Sequence, residues 1–215
     1  MQFKCVTCKS KHNSLLHDAI SSETHVSNAA IEAKNVDNSI ALIARRGDNV
    51  LLPTIKVKLL IKDGQAICVR ALLDSGSQVS FIVSDIADLI NCNLYAAQAI
   101  VQGIGDGKQD VACNAEFCIS SLDDNFSTSI NCCVVKDITC NLPQFDVNVH
   151  NLKLPSHVRL ADKEFYKSQR ISMLLGCNIF FQLLLREQIP LSIPGNLCLQ
   201  NTRFGYVVVG VSNST

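Results

Sequence analysis

The stretch that most constrains the fold is Arg70-Ala71-Leu72-Leu73-Asp74-Ser75-Gly76-Ser77-Gln78-Val79-Ser80-Phe81-Ile82. An apolar run delivers one aspartate into a Ser-Gly turn, and Phe81-Ile82 then takes the backbone back into the protein. A carboxylate at the rim of a buried sheet is held in this way: the strand fixes its position, and Gly76 allows close approach of backbone. The Ser75 and Ser77 hydroxyls and the turn amides are expected to hydrogen-bond the carboxyl group. Asp, Ser and Gly are also ordinary turn residues, so a plain hairpin competes with this reading. The residues that follow, Gln78 to Val83 and then a helix-like segment, lack the polar alternation of a hairpin's outgoing strand. That favours a carboxylate preorganised for chemistry.

The flanking sequence reads as strands. Leu51 to Lys62 alternates apolar and polar residues, Asp63-Gly64 is a strong turn signal, and Ile67 to Leu73 returns toward Asp74. Ser84 is placed to cap a short helix, Asp85 to Ile90. Two strand-like arms around Gly103-Ile104-Gly105-Asp106-Gly107 predict a hairpin that is either a mobile cover for a substrate or a plain turn. It is no dinucleotide fingerprint, because the glycine spacing fails and no helix pattern follows. Strands are expected at 115–120 and 127–135, joined by Asp123-Asp124-Asn125, and a short helix at 160–165. Ile171 to Leu185 reads as an apolar strand, then Gly176, then an apolar and deeply buried helix; a turn at 201–205 leads into a last strand.

The N-terminal segment has another texture. Cys5, Cys8, His12 and His17 follow the spacing C-x2-C-x3-H-x4-H and supply four ligands able to close around a tetrahedral Zn²⁺. Lys4, Lys9 and Lys11 lie among them, which suits phosphate contact with RNA or single-stranded nucleic acid. The competing reading is a metal-free terminus. Residues 18–48 are polar and aperiodic, as expected of a linker, so the predicted organisation is a knuckle at 1–17, cut short upstream, a linker at 18–48 and a β-domain at 49–212.

Composition narrows the setting. With 19 basic and 19 acidic side chains there is no whole-molecule attraction to nucleic acid, so any such binding must be local. The first residues lack the apolar run of a signal peptide, and no uninterrupted apolar stretch is long enough to span a membrane. The chain is therefore expected to be intracellular, in the cytoplasm or within a virus-like particle, with no membrane partner. Cys68, Cys113, Cys118, Cys132, Cys133 and Cys198 sit in apolar strand-like runs and are expected to be core thiols.

In this order, the elements resemble a retroviral-type aspartic protease, and more closely the aspartic peptidase region of BEL/Pao-type retrotransposon polyproteins. The matching residues are Leu72-Leu73-Asp74-Ser75-Gly76-Ser77, the Gly103-Ile104-Gly105 hairpin, Leu174-Leu175-Gly176 followed by a helix, the knuckle ending in Ser14-Leu15-Leu16-His17, and Thr202-Arg203-Phe204-Gly205-Tyr206-Val207-Val208. The knuckle has one residue fewer between its second and third ligands than the usual retroviral pattern, with His17 in place of the last Cys. Asn178 stands where BEL/Pao sequences commonly have Asp, and Asp106 where a glycine is common in the flap.

The resemblance implies a mainly β, retropepsin-like acid-protease barrel with one or two short helices. It implies Asp74, Ser75 and Gly76 as the catalytic motif, Gly103, Ile104 and Gly105 as the flap, and Ser77, Leu174, Leu175 and Gly176 as support. No second Asp-Ser-Gly or Asp-Thr-Gly occurs, so the implied enzyme is a homodimer whose two Asp74 side chains meet on a two-fold axis. Its implied substrates are polyprotein or peptide chains. Catalysis needs no cofactor, and Zn²⁺ belongs to the knuckle alone.

Three alternatives compete. A non-catalytic, nucleic-acid-binding structural fragment would bind RNA in a salt-dependent way and cleave nothing. A domesticated retropepsin domain in a host protein would keep the chemistry and change the substrate. A serine or cysteine hydrolase is disfavoured, because Ser75 and Ser77 lack a G-x-S-x-G setting and no local pattern marks His25, His150 or His157 as a base.

Overall fold

A computed structural model of the protein describes residues 48–102, 108–150, 152–191 and 195–213. The predicted zinc ligands Cys5, Cys8, His12 and His17, the linker up to residue 47 and the flap residues Gly103, Ile104 and Gly105 lie outside the described residues.

The strands run β1 Asp48–Leu51, β2 Thr54–Leu60, β3 Ala66–Leu73, β4 Ser80–Val83, β5 Asn93–Gln102, β6 Lys108–Ser120, β7 Ser127–Val135, β8 Met173–Leu175, β9 Leu184–Pro190, β10 Gly195–Thr202 and β11 Gly205–Asn213. Two short helices, α1 Ser84–Leu89 and α2 Cys177–Leu183, follow β4 and β8. Strands β2-β3-β8-β4-β7-β6 are neighbours in that order, and pairing of Lys58 with Ser120 joins β6 to β2, closing a six-stranded barrel. Strand β5 extends from β6, and β1-β11-β10-β9 form a second sheet. Closure removes the unpaired edges an open sheet would leave.

Side-chain alternation explains the layers. On β2, Ile55, Val57 and Leu59 point into the barrel while Lys56 and Lys58 alternate with them. On β6, Ala115, Phe117 and Ile119 do the same. Strands β8 and β4, and residues 69–73 of β3, are buried on both faces. Ala71, Leu73, Met173, Leu175 and Ile82 enter the barrel core, whereas Leu72, Leu174, Phe81 and Val83 join a second cluster with Ile138, Leu142 and Ile171. A strand covered on both faces must be continuously apolar, which is why these runs stand out in the sequence. A third cluster, around Leu51, Leu199, Tyr206 and Val208, packs the second sheet against Val147 and Phe165.

Several local expectations hold. Strands β2 and β3 pair antiparallel across the Asp63-Gly64 turn, where Gly64 has φ +86°. Strands β5 and β6 pair up to Gln102 opposite Lys108, so the arms of the predicted hairpin are present. The turn between β6 and β7 contains Asp124 at φ 59°, and β10 and β11 form the terminal hairpin.

Others need correction. Residues 160–165 form turns rather than a helix. Their backbone is used elsewhere: the Ala161 N–H donates to Tyr206 O at 2.8 Å, and the Ala161 carbonyl accepts from Lys56 N–H at 3.0 Å. Ser84 is the first residue of α1 and makes no capping bond; Val83 occupies the cap position. In α2, Ile179 and Leu183 are buried but Phe181 is 65% exposed, because a helix lying on one surface buries one stripe only. Cys132 and Cys133 are buried as expected, whereas Cys68 and Cys118 are exposed, on the outward side of barrel strands.

Candidate active site

Strand β8 lies between β3 and β4, parallel to β3 and antiparallel to β4, with Leu72 opposite Leu174 and Phe81 opposite Leu174. The chain leaving β3 therefore crosses over the end of β8 before entering β4. That crossing is the loop from Asp74 to Val79, and Asp74 is its first residue. It is half-buried, next to Leu73 in the core.

The carboxylate is held by local backbone. The Gly76 N–H donates to Asp74 Oδ1 at 2.8 Å, an Asx-type turn of the kind these residues favour. A Cβ at Gly76 would sit 3.2 Å from the same oxygen, tighter than ordinary contact, so glycine leaves room for the carboxylate. Oδ2 has no hydrogen-bond partner among the described residues. One oxygen is thus fixed by the turn.

The loop is seated on the segment after β8. The Asp74 N–H donates to Leu175 O at 3.0 Å, and the Cys177 N–H donates to Ser77 O at 2.7 Å. The Gly176 N–H donates to the buried Ser80 Oγ at 3.0 Å, and Ser80 Oγ donates to Asn178 Oδ1 at 2.8 Å. Gly176 has φ −83°, an ordinary value, so its need for glycine is spatial: a Cβ would lie 2.3 Å from Val79 O and 2.9 Å from Ser77 O.

Asp74, Gly76, Ser77, Leu174, Leu175 and Gly176 are therefore brought together. The expected hydroxyl contacts are not. Ser77 Oγ donates to Val79 O at 2.8 Å, closing the loop on itself, and Ser75 is exposed. The carboxylate is held by an amide instead, whose position the turn fixes.

Arg70 and Asp162 were not assigned roles by sequence reasoning. Arg70 Nε lies 2.7 Å from Asp162 Oδ2, with both side chains buried, and the N–H is not aligned for a hydrogen bond, so the contact is coulombic. Arg70 also donates to the carbonyls of Leu142 and Lys167 at 2.9 Å and of Glu164 at 2.5 Å. Thr54 Oγ1 donates to Asp162 Oδ2 at 3.0 Å. The network ties β2, β3 and the irregular segment after β7 together, with Arg70 in the half of β3 that leads to Asp74. Nearby, Lys167 and then Lys56 hold the Glu164 carboxyl down at about 2, from its ordinary 4.5. The available signal for Arg70 was a lone cation within an apolar strand.

An apolar depression of about 300 Å³ lies beside the end of β3, lined by Pro53, Leu73, Phe180, Leu184, Val207 and Val209. A second, of about 330 Å³, lies between Leu60, Asn93 and Ser129, and Asp74 lines neither depression. No helix among the described residues is long and apolar enough to cross a membrane.

Comparison of the chain with protein-family models and with curated proteins finds no match.

Proposed function

We propose that this chain is a retropepsin-like aspartic endopeptidase of a retrotransposon polyprotein, active as a homodimer. The observation that carries the reading is the Asp74 carboxylate, anchored through one oxygen by the Gly76 amide on a loop braced across β8, with its other oxygen unpartnered among the described residues. The closed barrel beneath it supports the reading, because a rigid scaffold keeps a catalytic group in place without reorganisation.

The chemistry follows from like charge. Two carboxyls meeting at a two-fold axis cannot both ionise readily, the effect for which aspartic proteases are the standing example, so the pair shares one proton. The ionised Asp74 acts as general base on a water between the two groups. The protonated Asp74 hydrogen-bonds the scissile carbonyl and stabilises the charge that develops on its oxygen. Collapse of the tetrahedral intermediate returns the proton to the leaving amine. Activity is expected to be highest at mildly acidic pH and to fall as the shared proton is lost, with a profile belonging to the pair. The apolar depression beside Leu73 suits side chains of an extended peptide.

The test is cleavage of a mixed peptide library by the full chain at about pH 5, wild type beside Asp74→Asn, where a proton-sharing pair is active. Wild-type cleavage, lowered on the order of a thousandfold or more by the substitution, is expected. Cleavage that survives Asp74→Asn, or a wild-type dimer that cuts nothing, would sink the proposal.

A further inference from the structure

The geometry points to Ser80, oriented by Asn178, as a positioning residue for Asp74. The inference rests on the aspartic-peptidase reading and extends it to residues outside the Asp-Ser-Gly motif.

One peptide group carries the argument. Leu175 C=O and Gly176 N–H belong to the same planar trans peptide, so they point in opposite directions. The carbonyl accepts from the Asp74 N–H at 3.0 Å, and the N–H donates to Ser80 Oγ at 3.0 Å. This peptide is thus a rung spanning the loop, with the first residue at one end and the residue that begins β4 at the other. Register between β8 and β4 runs from Met173–Ile82 to Leu174–Phe81 and then stops. Ser80 continues the ladder with its side chain, at the point where the main chain has turned into the loop.

A hydroxyl can donate as well as accept, so its acceptor role has to be fixed. Asn178 does this: Ser80 gives its proton to Asn178 Oδ1 at 2.8 Å, leaving a lone pair for the Gly176 N–H. Ser80 itself is wholly buried, so no water can replace the missing bond in its absence without entering the core. The order of control runs from Asn178 to Ser80, to the 175–176 peptide, and to the Asp74 amide. The departure at Asn178 fits the same scheme, because what Ser80 requires there is an acceptor oxygen, which Asn and Asp both supply.

The experiment uses the full chain with Ser80→Ala, Ser80→Thr, Asn178→Ala and Asn178→Asp, reading kcat and KM on a peptide the wild type cleaves, and hydrogen exchange of the Asp74 amide. Asn178 is exposed, so its variants fold even where Ser80→Ala does not. Ser80→Ala and Asn178→Ala are expected to lower kcat about tenfold with KM little changed, and to speed Asp74 exchange by a similar factor. Ser80→Thr and Asn178→Asp, which keep the hydroxyl and the acceptor, are expected to restore both. Unchanged kcat and unchanged exchange in Asn178→Ala, or a fall not rescued by Asn178→Asp, overturns the inference. Should the wild type cleave nothing, the catalytic reading fails separately. The exchange of Asp74 then decides whether Ser80 positions it.

Discussion

Arg70 and Asp162 are buried to 2% and 0% side-chain exposure, and each neutralises the other in a region of low dielectric. Removing one partner leaves the other charged and desolvated, which costs more than the pair itself contributes. Asp162→Ala is expected to destabilise the domain by about 3–5 kcal/mol. Arg70→Met is expected to cost a comparable amount, since it also orphans the carbonyls of Leu142, Glu164 and Lys167. Combining Arg70→Met with Asp162→Ala is expected to cost clearly less than the sum, because neither substitution then strands a charge. Denaturant unfolding of the wild type, the two single variants and the double variant checks this. Strictly additive effects, or an Asp162→Ala protein within about 1 kcal/mol of wild type, would show that the ion pair is not the element holding the 142–167 segment to β3.

The crossing of β3 and β4 over β8 depends on Gly176 at the scale of the element. Its φ of −83° suits any residue, but a Cβ would lie 2.3 Å from Val79 O and 2.6 Å from Val79 C, both backbone atoms of the loop. Gly176→Ala must push that loop off its seat, with an expected cost of about 1–3 kcal/mol and displacement of Asp74. Gly64 is the converse control: φ is +86° and nothing lies within 4 Å, so Gly64→Ala is expected to cost only about 1 kcal/mol and leave Asp74 in place. Thermal melts with Asp74 amide exchange separate the two; equal effects on exchange would contradict the spatial account. The apolar runs of β3, β4 and β8 were legible because burial on both faces leaves them no polar alternation, and Asp74 was legible as the first residue after such a run. Their order across the sheet was not, since β8 inserts between two strands far earlier in the chain. The same limit explains residues 160–165. Their helical pattern was overridden by Tyr206, Lys56 and Arg70, none of them local. Ser80 was hidden for a related reason: its partners, Gly176 and Asn178, are distant in sequence.

At the scale of the whole molecule, the decisive fact is that the chain holds one Asp-Ser-Gly while the proposed chemistry uses two carboxyls. Each Asp74 brings one anchored oxygen and one unpartnered among the described residues, an arrangement that becomes a proton-sharing pair only when a second copy supplies its own. Catalytic units must then be counted in pairs of chains. Refolding wild type together with a threefold excess of Asp74→Asn chain would distribute the wild-type chains at random among partners, so only about a quarter of them would meet another wild-type chain. Activity per wild-type chain is accordingly expected to fall to about a quarter of its value when wild type is refolded alone at the same total concentration. A chain acting singly would show no such loss. Residual activity of mixed dimers would appear as a value above a quarter, with a non-zero intercept when activity per wild-type chain is extrapolated to zero wild-type fraction, whereas a chain acting singly gives a constant. Measuring initial rates across the mixing series therefore distinguishes a symmetric two-aspartate site from a site completed within one chain, independently of which peptide bond is cut.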